Sequence, residues 1–520
     1  MTKLKSYLSG IWQDGEGAGE ALLNPATEEV LGHASTDGLD RKQALEFARG
    51  QGGPALRALT FKQRGDLIQK TASLLQKNRD ELIGLAVTNG GNTRSDAKFD
   101  VDGAIATLQA YAEIGAALGE RTVLRDGEPI QLGRAPRLVG QHVLVTRQGV
   151  AVQVNAFNFP AWGLAEKAAV ALLAGMPVLT KPATSSSLVA HRLFELLVEA
   201  KVWPEGALSL LMGRAGDLTA HLQGQDCLAF TGGASTASFL RTTKGVVDRG
   251  TRINVEADSL NAAVLGPDIM PEDETYDFFL KDVLRDITQK AGQKCTAIRR
   301  IVVPEALSER ERDDLADRLA AVVVGNPATP GVRMGPVATA SQRAAALAGI
   351  ALLARDGRIV HSRPGLKPEG VPEGIGFFVS PTLLEVEPEA AAPSVHSHEV
   401  FGPVATIVPY DGSAAHAVAL VSRAMGGLVS SVYSEDTGFV SDTTLGLAPF
   451  HGRLFLGSVK IAEMSPGPGT VLPSLVHGGP GRAGNGEELG GERGLAFYMQ
   501  RTAIEGSRPV IDRILKREVS

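Results

Sequence analysis

Cysteine occurs only twice in this 520-residue chain, and one copy, Cys295, stands in the polar stretch Lys290-Ala-Gly-Gln-Lys-Cys-Thr-Ala297. A thiol so placed can be a nucleophile, because a thiolate attacks carbonyl carbon far better than a hydroxyl does at neutral pH. Taken alone, it reads first as a small buried apolar side chain. Its company changes that balance. Glu256 ends the apolar run Arg252-Ile-Asn-Val-Glu256, where a carboxylate is either a general base or a strand-end charge. Asn158, in Asn155-Ala-Phe-Asn-Phe-Pro160, offers an amide donor, or else a turn residue ahead of proline. Phe230-Thr-Gly-Gly-Ala-Ser235 is a glycine turn whose backbone N–H groups can meet a phosphate at a helix start. It is not a GxGxxG fingerprint, so a plain turn remains the rival reading. Cys227 lies within an apolar run and reads as core.

These residues need a scaffold, and the rest of the chain describes one. Its length calls for two or three domains. The 62–88 segment repeats apolar residues at helical spacing, and a second helix is expected through Val101 to Leu118. From Gln131 to Gln153 the runs become short and β-rich. Strand-like runs then alternate with helical ones: Pro177–Thr180 before a helix through Leu188 to Ala200, then Leu208–Met212 and Cys227–Phe230, the last followed by a helix through Thr236 to Thr242. A further block of the same kind spans Asn261 to Pro449. Such alternation predicts the α/β class with parallel sheet. A net charge of −6 gives no reason to expect nucleic acid or an anionic membrane as partner. No apolar leader is visible, and the most apolar stretch, Ala168 to Thr180, is too short to span a bilayer. Two cysteines make no disulfide framework. A cytoplasmic protein is expected.

In their order and spacing these segments resemble the aldehyde dehydrogenase family, from Gly10-Ile-Trp12 and Asn24-Pro-Ala-Thr27 through to Glu488. The resemblance implies a Rossmann-type cofactor domain (1–126 and 151–256), an α/β catalytic domain (257–473) and a small β oligomerisation element with the C-terminal tail (127–150 and 474–520). It implies that Cys295 adds to an aldehyde, that Asn158 and a backbone N–H hold the resulting oxyanion, and that Glu256 activates water against the thioester. Lys167 and Glu488 match a second proton route. Phe157, Gly232, Gly233 and Ser235 match the cofactor turn, Lys181 the adenosine ribose, and Glu399 with Phe401 the nicotinamide ribose and ring. Thr184 stands where NAD-preferring relatives carry glutamate, and Arg214 is expected near the same end, which favours NADP, with NAD as the alternative. No metal is expected, since the ten histidines show no ligand spacing.

Two segments, Glu256-Ala-Asp-Ser-Leu-Asn261 and His477-Gly-Gly-Pro-Gly-Arg-Ala-Gly484, point to a branch acting on coenzyme A-linked semialdehydes in aromatic-acid breakdown. Within the first, Asp258-Ser259 replace the Gly-Gly pair common in the family, which puts the local backbone path and the resting orientation of Glu256 in question. The expected substrate is a small-molecule aldehyde linked to coenzyme A, released as a free acid because Glu256 is retained. The competing readings are acyl transfer to coenzyme A, general aliphatic aldehyde oxidation, a cysteine hydrolase, and a catalytically silent scaffold. A homodimer is expected.

Overall fold

The computed structural model describes residues 3–388 and 390–516, so the last four residues of the expected C-terminal element lie outside the described residues. A capping box at Thr60 and Gln63 starts the helix Phe61–Lys77, satisfying two otherwise unpaired donors. That helix stops at Asn78, whose side-chain amide donates to the Leu74 carbonyl, and a new helix runs from Arg79 to Gly90. The single helix expected over 62–88 is therefore two, because the asparagine side chain competes with the backbone ladder. The long helix Arg94–Leu118 begins at Thr93, whose hydroxyl accepts from Asp96 N. It packs against Phe61–Lys77 at a glycine crossing: a Cβ on Gly65 would stand 3.1 Å from the Gly115 Cα.

One seven-stranded sheet runs Arg252–Glu256, Cys227–Thr231, Ala151–Val154, Val178–Lys181, Leu208–Leu210, Ser6–Leu8, Ile11–Gln13. The first five are mutually parallel, and the last two complete an antiparallel edge. A second seven-stranded sheet runs Arg358–His361, Thr382–Glu385, Val404–Tyr410, Ile298–Pro304, Asn261–Leu265, Gly427–Tyr433, His451–Gly457, parallel except at its first strand. The central strands of the second sheet are buried throughout, as sheets covered on both faces require.

The β-rich run expected over 131–153 divides between two sheets. Ala151–Val154 joins the first parallel sheet, whereas Leu124–Gln131 and Leu138–Thr146 form an antiparallel sheet with the distant strand Met499–Ser507. A hairpin of Val476–Gly479 and Gly486–Leu489 folds onto Arg252–Glu256, where Ala257 N donates to the Ala483 carbonyl. Gly484 is required there, since a Cβ would meet the Val255 carbonyl at 2.2 Å. Among the described residues no helix is long and apolar enough to cross a membrane.

The two large sheets present opposite ends to one another. Glu256 closes the carboxyl end of its strand beside Thr231, while Asn261 and Ile298 pair at the start of theirs. The space beyond the carboxyl ends of parallel strands is where α/β sheets place ligands.

Candidate active site

Cys295 is delivered by a constrained turn. After the helix Glu274–Thr288, the chain passes through Lys290 (φ 54°), Ala291 (φ 52°) and Gly292 (φ 70°). Left-handed backbone at the two non-glycine positions costs about 1–2 kcal/mol each. A Cβ on Gly292 would lie 2.1 Å from the Gly402 carbonyl, so only glycine fits. The turn is held by its side chains. Lys294 Nζ pairs with Asp286 at 2.5 Å, both side chains fully enclosed, and Asn261 Nδ2 donates to the carbonyls of Cys295 and Ala297 at 2.8 and 2.9 Å.

Around the thiol stands a buried titratable cluster. His477 Nε2 lies 3.9 Å from Cys295 Sγ and 3.0 Å from Glu256 Oε2. Lys167 Nζ sits between Glu166 and Glu488, 3.0 Å from each. Asn254 Nδ2 donates to the other Glu488 oxygen at 3.1 Å. The carboxylates of Glu166, Glu256 and Glu488 lie within 4.8 Å of one another. Burial would raise Glu256, but the charges of His477 and Lys167 hold it below the usual carboxylate range. Burial likewise opposes protonation of His477, and the facing Glu256 and Glu166 nevertheless raise its pKa. Glu166 is pushed up to about 7 by burial, with Lys167 acting against the shift. Burial and the neighbouring Glu256 raise the Cys295 thiol well above its ordinary value. At rest, then, the group is a thiol beside a carboxylate.

Oε2 of Glu256 faces His477, and Oε1 has no protein partner among the described residues. A buried carboxylate left open in this way is free to take a proton. Asn158 Nδ2 donates to the Gln293 carbonyl at 3.0 Å, leaving its second N–H for another acceptor.

Two clefts meet at Cys295. One is a narrow cavity lined by Phe99, Phe159, Trp162, Lys167, Val471 and His477. The other, wider one is lined by Phe157, Gly232, Gly233, Asp258, Glu399 and Phe401. Asn158, Thr231, Glu256 and Cys295 line both. In the second cleft Phe157 and Phe401 meet edge-on at 5.8 Å. Glu399, pushed up to about 7 by burial against the pull of Arg299, lies 3.5 Å from that arginine and accepts from Ser259 N at 3.0 Å. Gly232 is tightly enclosed, since a Cβ would meet the Phe230 ring at 2.5 Å.

Four expected cofactor residues do not line this cleft. Ser235 is exposed on the first turn of the helix Ala234–Arg241. Thr184 is buried at the start of a short 3₁₀ turn. Lys181 Nζ donates to the Pro182 carbonyl at 3.1 Å, and burial lowers its pKa, opposed by Glu20. Arg214 lines a separate void with Glu20, Thr36 and Asp37. Cys227 is enclosed in its strand, its thiol raised to about 12 by burial.

Over residues 12–504 the chain matches the model of the aldehyde dehydrogenase family. The chain belongs to that family. It is 46% identical over 479 residues to a 3,4-dehydroadipyl-CoA semialdehyde dehydrogenase of Aromatoleum evansii, covering 92% of this chain and 93% of the relative. It is 27% identical to a non-phosphorylating aspartate-semialdehyde dehydrogenase of Halomonas elongata, covering 95% and 94%. Among solved structures, lactaldehyde dehydrogenase from Escherichia coli superposes with a TM-score of 0.83 at 22% identity, covering 97% of this chain and 99% of that one. A betaine aldehyde dehydrogenase from Staphylococcus aureus gives 0.82 at 23%, covering 98% of both. These two likenesses establish the fold.

Within this family member the Asp258-Ser259 pair has a clear structural use. The Ser259 hydroxyl lies 2.5 Å from Asn261 Oδ1 and accepts from Leu428 N at 2.9 Å, so it fixes the amide that grips the Cys295 carbonyl. Asp258 Oδ1 accepts from Ala234 N at 3.1 Å, placing a carboxylate at the start of the helix Ala234–Arg241. The residue beside Cys295 that the sequence does not single out is His477. It was read only as part of a glycine-rich branch segment, and its separation of 182 residues from Cys295 leaves no local spacing signal.

Proposed function

We propose that this chain oxidises a coenzyme A-linked semialdehyde, 3,4-dehydroadipyl-CoA semialdehyde or a close analogue, to the free carboxylic acid, with NADP as hydride acceptor. The observation that carries the reading is the meeting of two clefts at Cys295, with the Glu256 carboxylate and His477 beside its thiol. The substrate class rests on the 46% identical relative.

Glu256 takes the thiol proton, and the sulfur adds to the aldehyde carbon, forming the C–S bond of a thiohemiacetal. The free N–H of Asn158 and the backbone N–H of Cys295 hold the oxyanion. A donor of this kind is worth about 2.7–4 kcal/mol of barrier. The larger cleft suits a dinucleotide: Gly232 admits no side chain, Gly233 leaves open space, and Glu399 and Phe401 wall one end. Bound there, the nicotinamide ring supplies the hydride acceptor that turns the thiohemiacetal into a thioester. Once Glu256 has given up the thiol's proton to the buried carboxylates beside it, it takes a proton from water, whose oxygen attacks the acyl carbon; the C–S bond then breaks and the departing sulfur takes that proton back from Glu256 to return the thiol. Lys167, held as a cation between Glu166 and Glu488, keeps these carboxylates beside Glu256, and Glu166, raised to about 7 by burial, receives the proton that Glu256 gives up.

NADP is favoured because Thr184 stands where NAD-preferring relatives carry a glutamate, so no carboxylate at that position repels a 2′-phosphate. A kcat/KM ratio in favour of NAD would overturn that part. A homodimer fits the exposed antiparallel sheet built from Leu124–Gln131, Leu138–Thr146 and Met499–Ser507, because unpaired edges call for cover; light scattering tests it. The central test is a kinetic panel of free semialdehydes against their coenzyme A-linked forms, without added coenzyme A. Turnover of the linked form to a free acid supports the reading. An absolute requirement for added coenzyme A replaces it with acyl transfer.

A further inference from the structure

Beside the aldehyde cavity lies a larger groove with no part in the chemistry above. It is wider and more open to solvent than the cavity. Five cations line it: Arg94, Lys281, Arg285, Arg318 and Arg333. They come from the start of the helix Arg94–Leu118, the helix Glu274–Thr288, the helix Glu305–Ala320 and the loop before Met334. Lys281 and Arg285, four residues apart, share one helix face.

Four of the five cations meet neighbouring carboxylates, two of them sharing one, and the fifth is left unpaired among the described residues. Asp277 serves two cations at once, 2.6 Å from Lys281 and 2.7 Å from Arg318. Arg94 pairs with Asp80 at 3.0 Å, both strongly exposed, and Arg285 pairs with Asp282. Arg333 is exposed and enters no ion pair among the described residues. The lining carboxylate Asp96 is buried and accepts from the Thr93 hydroxyl at 2.8 Å. Exposed ion pairs are worth about 0–1 kcal/mol, so a polyphosphate can draw most of these side chains to itself with stronger, charge-assisted bonds.

The groove and the cavity share walls. Asp96 and Phe99 lie one turn apart on one helix, the first lining the groove and the second the cavity. Thr288 and Gln289 line the groove and lead directly into the turn that presents Cys295. Arg285 donates to the Pro466 carbonyl at 3.3 Å, and that loop continues to Gly469 and Val471 in the cavity wall. The cavity beside Cys295 is far too narrow for a nucleotide-bearing tail, which must lie outside it.

We propose that this groove docks the nucleotide end of a coenzyme A-linked substrate, its cations meeting the 3′-phosphate and the diphosphate. The inference rests on the substrate class proposed above. The test uses the full enzyme with the dinucleotide cleft saturated by cofactor. Arg94→Glu with Arg333→Glu should raise KM for the coenzyme A-linked semialdehyde by about tenfold or more, from the loss and reversal of two phosphate contacts. It should leave kcat, and both constants for a short free aldehyde, unchanged. Adenosine 3′,5′-bisphosphate, titrated into the unmutated enzyme, should compete with the linked substrate alone. An unchanged KM in the double variant, or competition by the bisphosphate against the cofactor instead, overturns the groove assignment. Equal handling of linked and free semialdehydes by the unmutated enzyme overturns the substrate class itself, and that ratio separates the two failures.

Discussion

His477 Nε2 stands 3.0 Å from Glu256 Oε2, and both side chains are withdrawn from solvent. Each shifts the other: beyond the opposing effect of burial, Glu256 is lowered and His477 raised. A carboxylate held low in this way stays ionised at acid pH. Replacing His477 by asparagine removes that charge, so the Glu256 pKa rises and the acid limb of the kcat–pH profile moves to higher pH. An unmoved acid limb would show that Glu256 takes its ionisation from Lys167 alone.

The same pair makes a stability prediction with a definite sign. Glu256, depressed from 4.5, contributes stability present above that value and lost as pH falls through its folded pKa. His477, raised from 6.5, contributes stability fully present below that value and lost as pH rises through its folded pKa. The Tm difference between the parent enzyme and His477→Asn should therefore be largest between these two ordinary values. It should shrink on the alkaline side. A difference that grows steadily with pH would contradict the charged pair.

Glu256→Gln keeps the shape of the side chain and removes its ability to take a proton. Because the same carboxylate takes the thiol proton and activates water, the variant should form reduced cofactor slowly, to no more than one equivalent per active site, and then stall as an acyl-enzyme. Rapid-mixing absorbance at the reduced nicotinamide band measures this. Cys295→Ala should give neither burst nor turnover. A Glu256→Gln enzyme with full steady-state rate would remove the residue from the hydrolytic step.

How far the sequence alone reached can be read from the same residues. Glu256 was legible as the polar end of an apolar strand, Cys295 and Asn158 came through the motifs that resemble the family, and the alternation of strands and helices announced parallel sheet. The break at Asn78 was not, since a single side-chain amide ends a helix that apolar spacing alone continues. Nor was the pairing of Leu138–Thr146 with Met499–Ser507, which joins segments far apart in the chain through backbone bonds that carry no side-chain signature. His477 was invisible for the same reason: the 477–489 hairpin brings it to Cys295 across the sheet. The Asp258-Ser259 departure was seen but not its use, which depends on Asn261, Leu428 and Ala234 converging in space.

Asn158 separates oxyanion stabilisation from mere structure. Its Nδ2 already donates to the Gln293 carbonyl, so Asn158→Ala removes a structural bond and a free N–H together. Loss of an oxyanion donor should lower kcat by about 10²–10³-fold. Loss of a buried neutral hydrogen bond alone should cost stability by about 0.5–1.5 kcal/mol and leave kcat nearly intact. Measuring kcat beside Tm decides between the two, and a kcat within a few-fold of the parent would exclude the donor role.

Asp258 places a carboxylate at the first N–H of the helix Ala234–Arg241, with Arg482 4.0 Å from its other oxygen. A helix start favours an anion by about 0.3–1 kcal/mol, so Asp258 claims the position that a dinucleotide's pyrophosphate would otherwise enjoy and also repels it. Asp258→Asn keeps an acceptor for Ala234 N and removes the charge. Cofactor Kd should fall by about two- to fivefold, the equivalent of that helix-end interaction, with kcat unchanged. Fluorescence titration with the reduced dinucleotide measures it. Weaker binding in Asp258→Asn would mean instead that the carboxylate orders the loop between Glu256 and Asn261, and that its charge is needed to hold Arg482 in place.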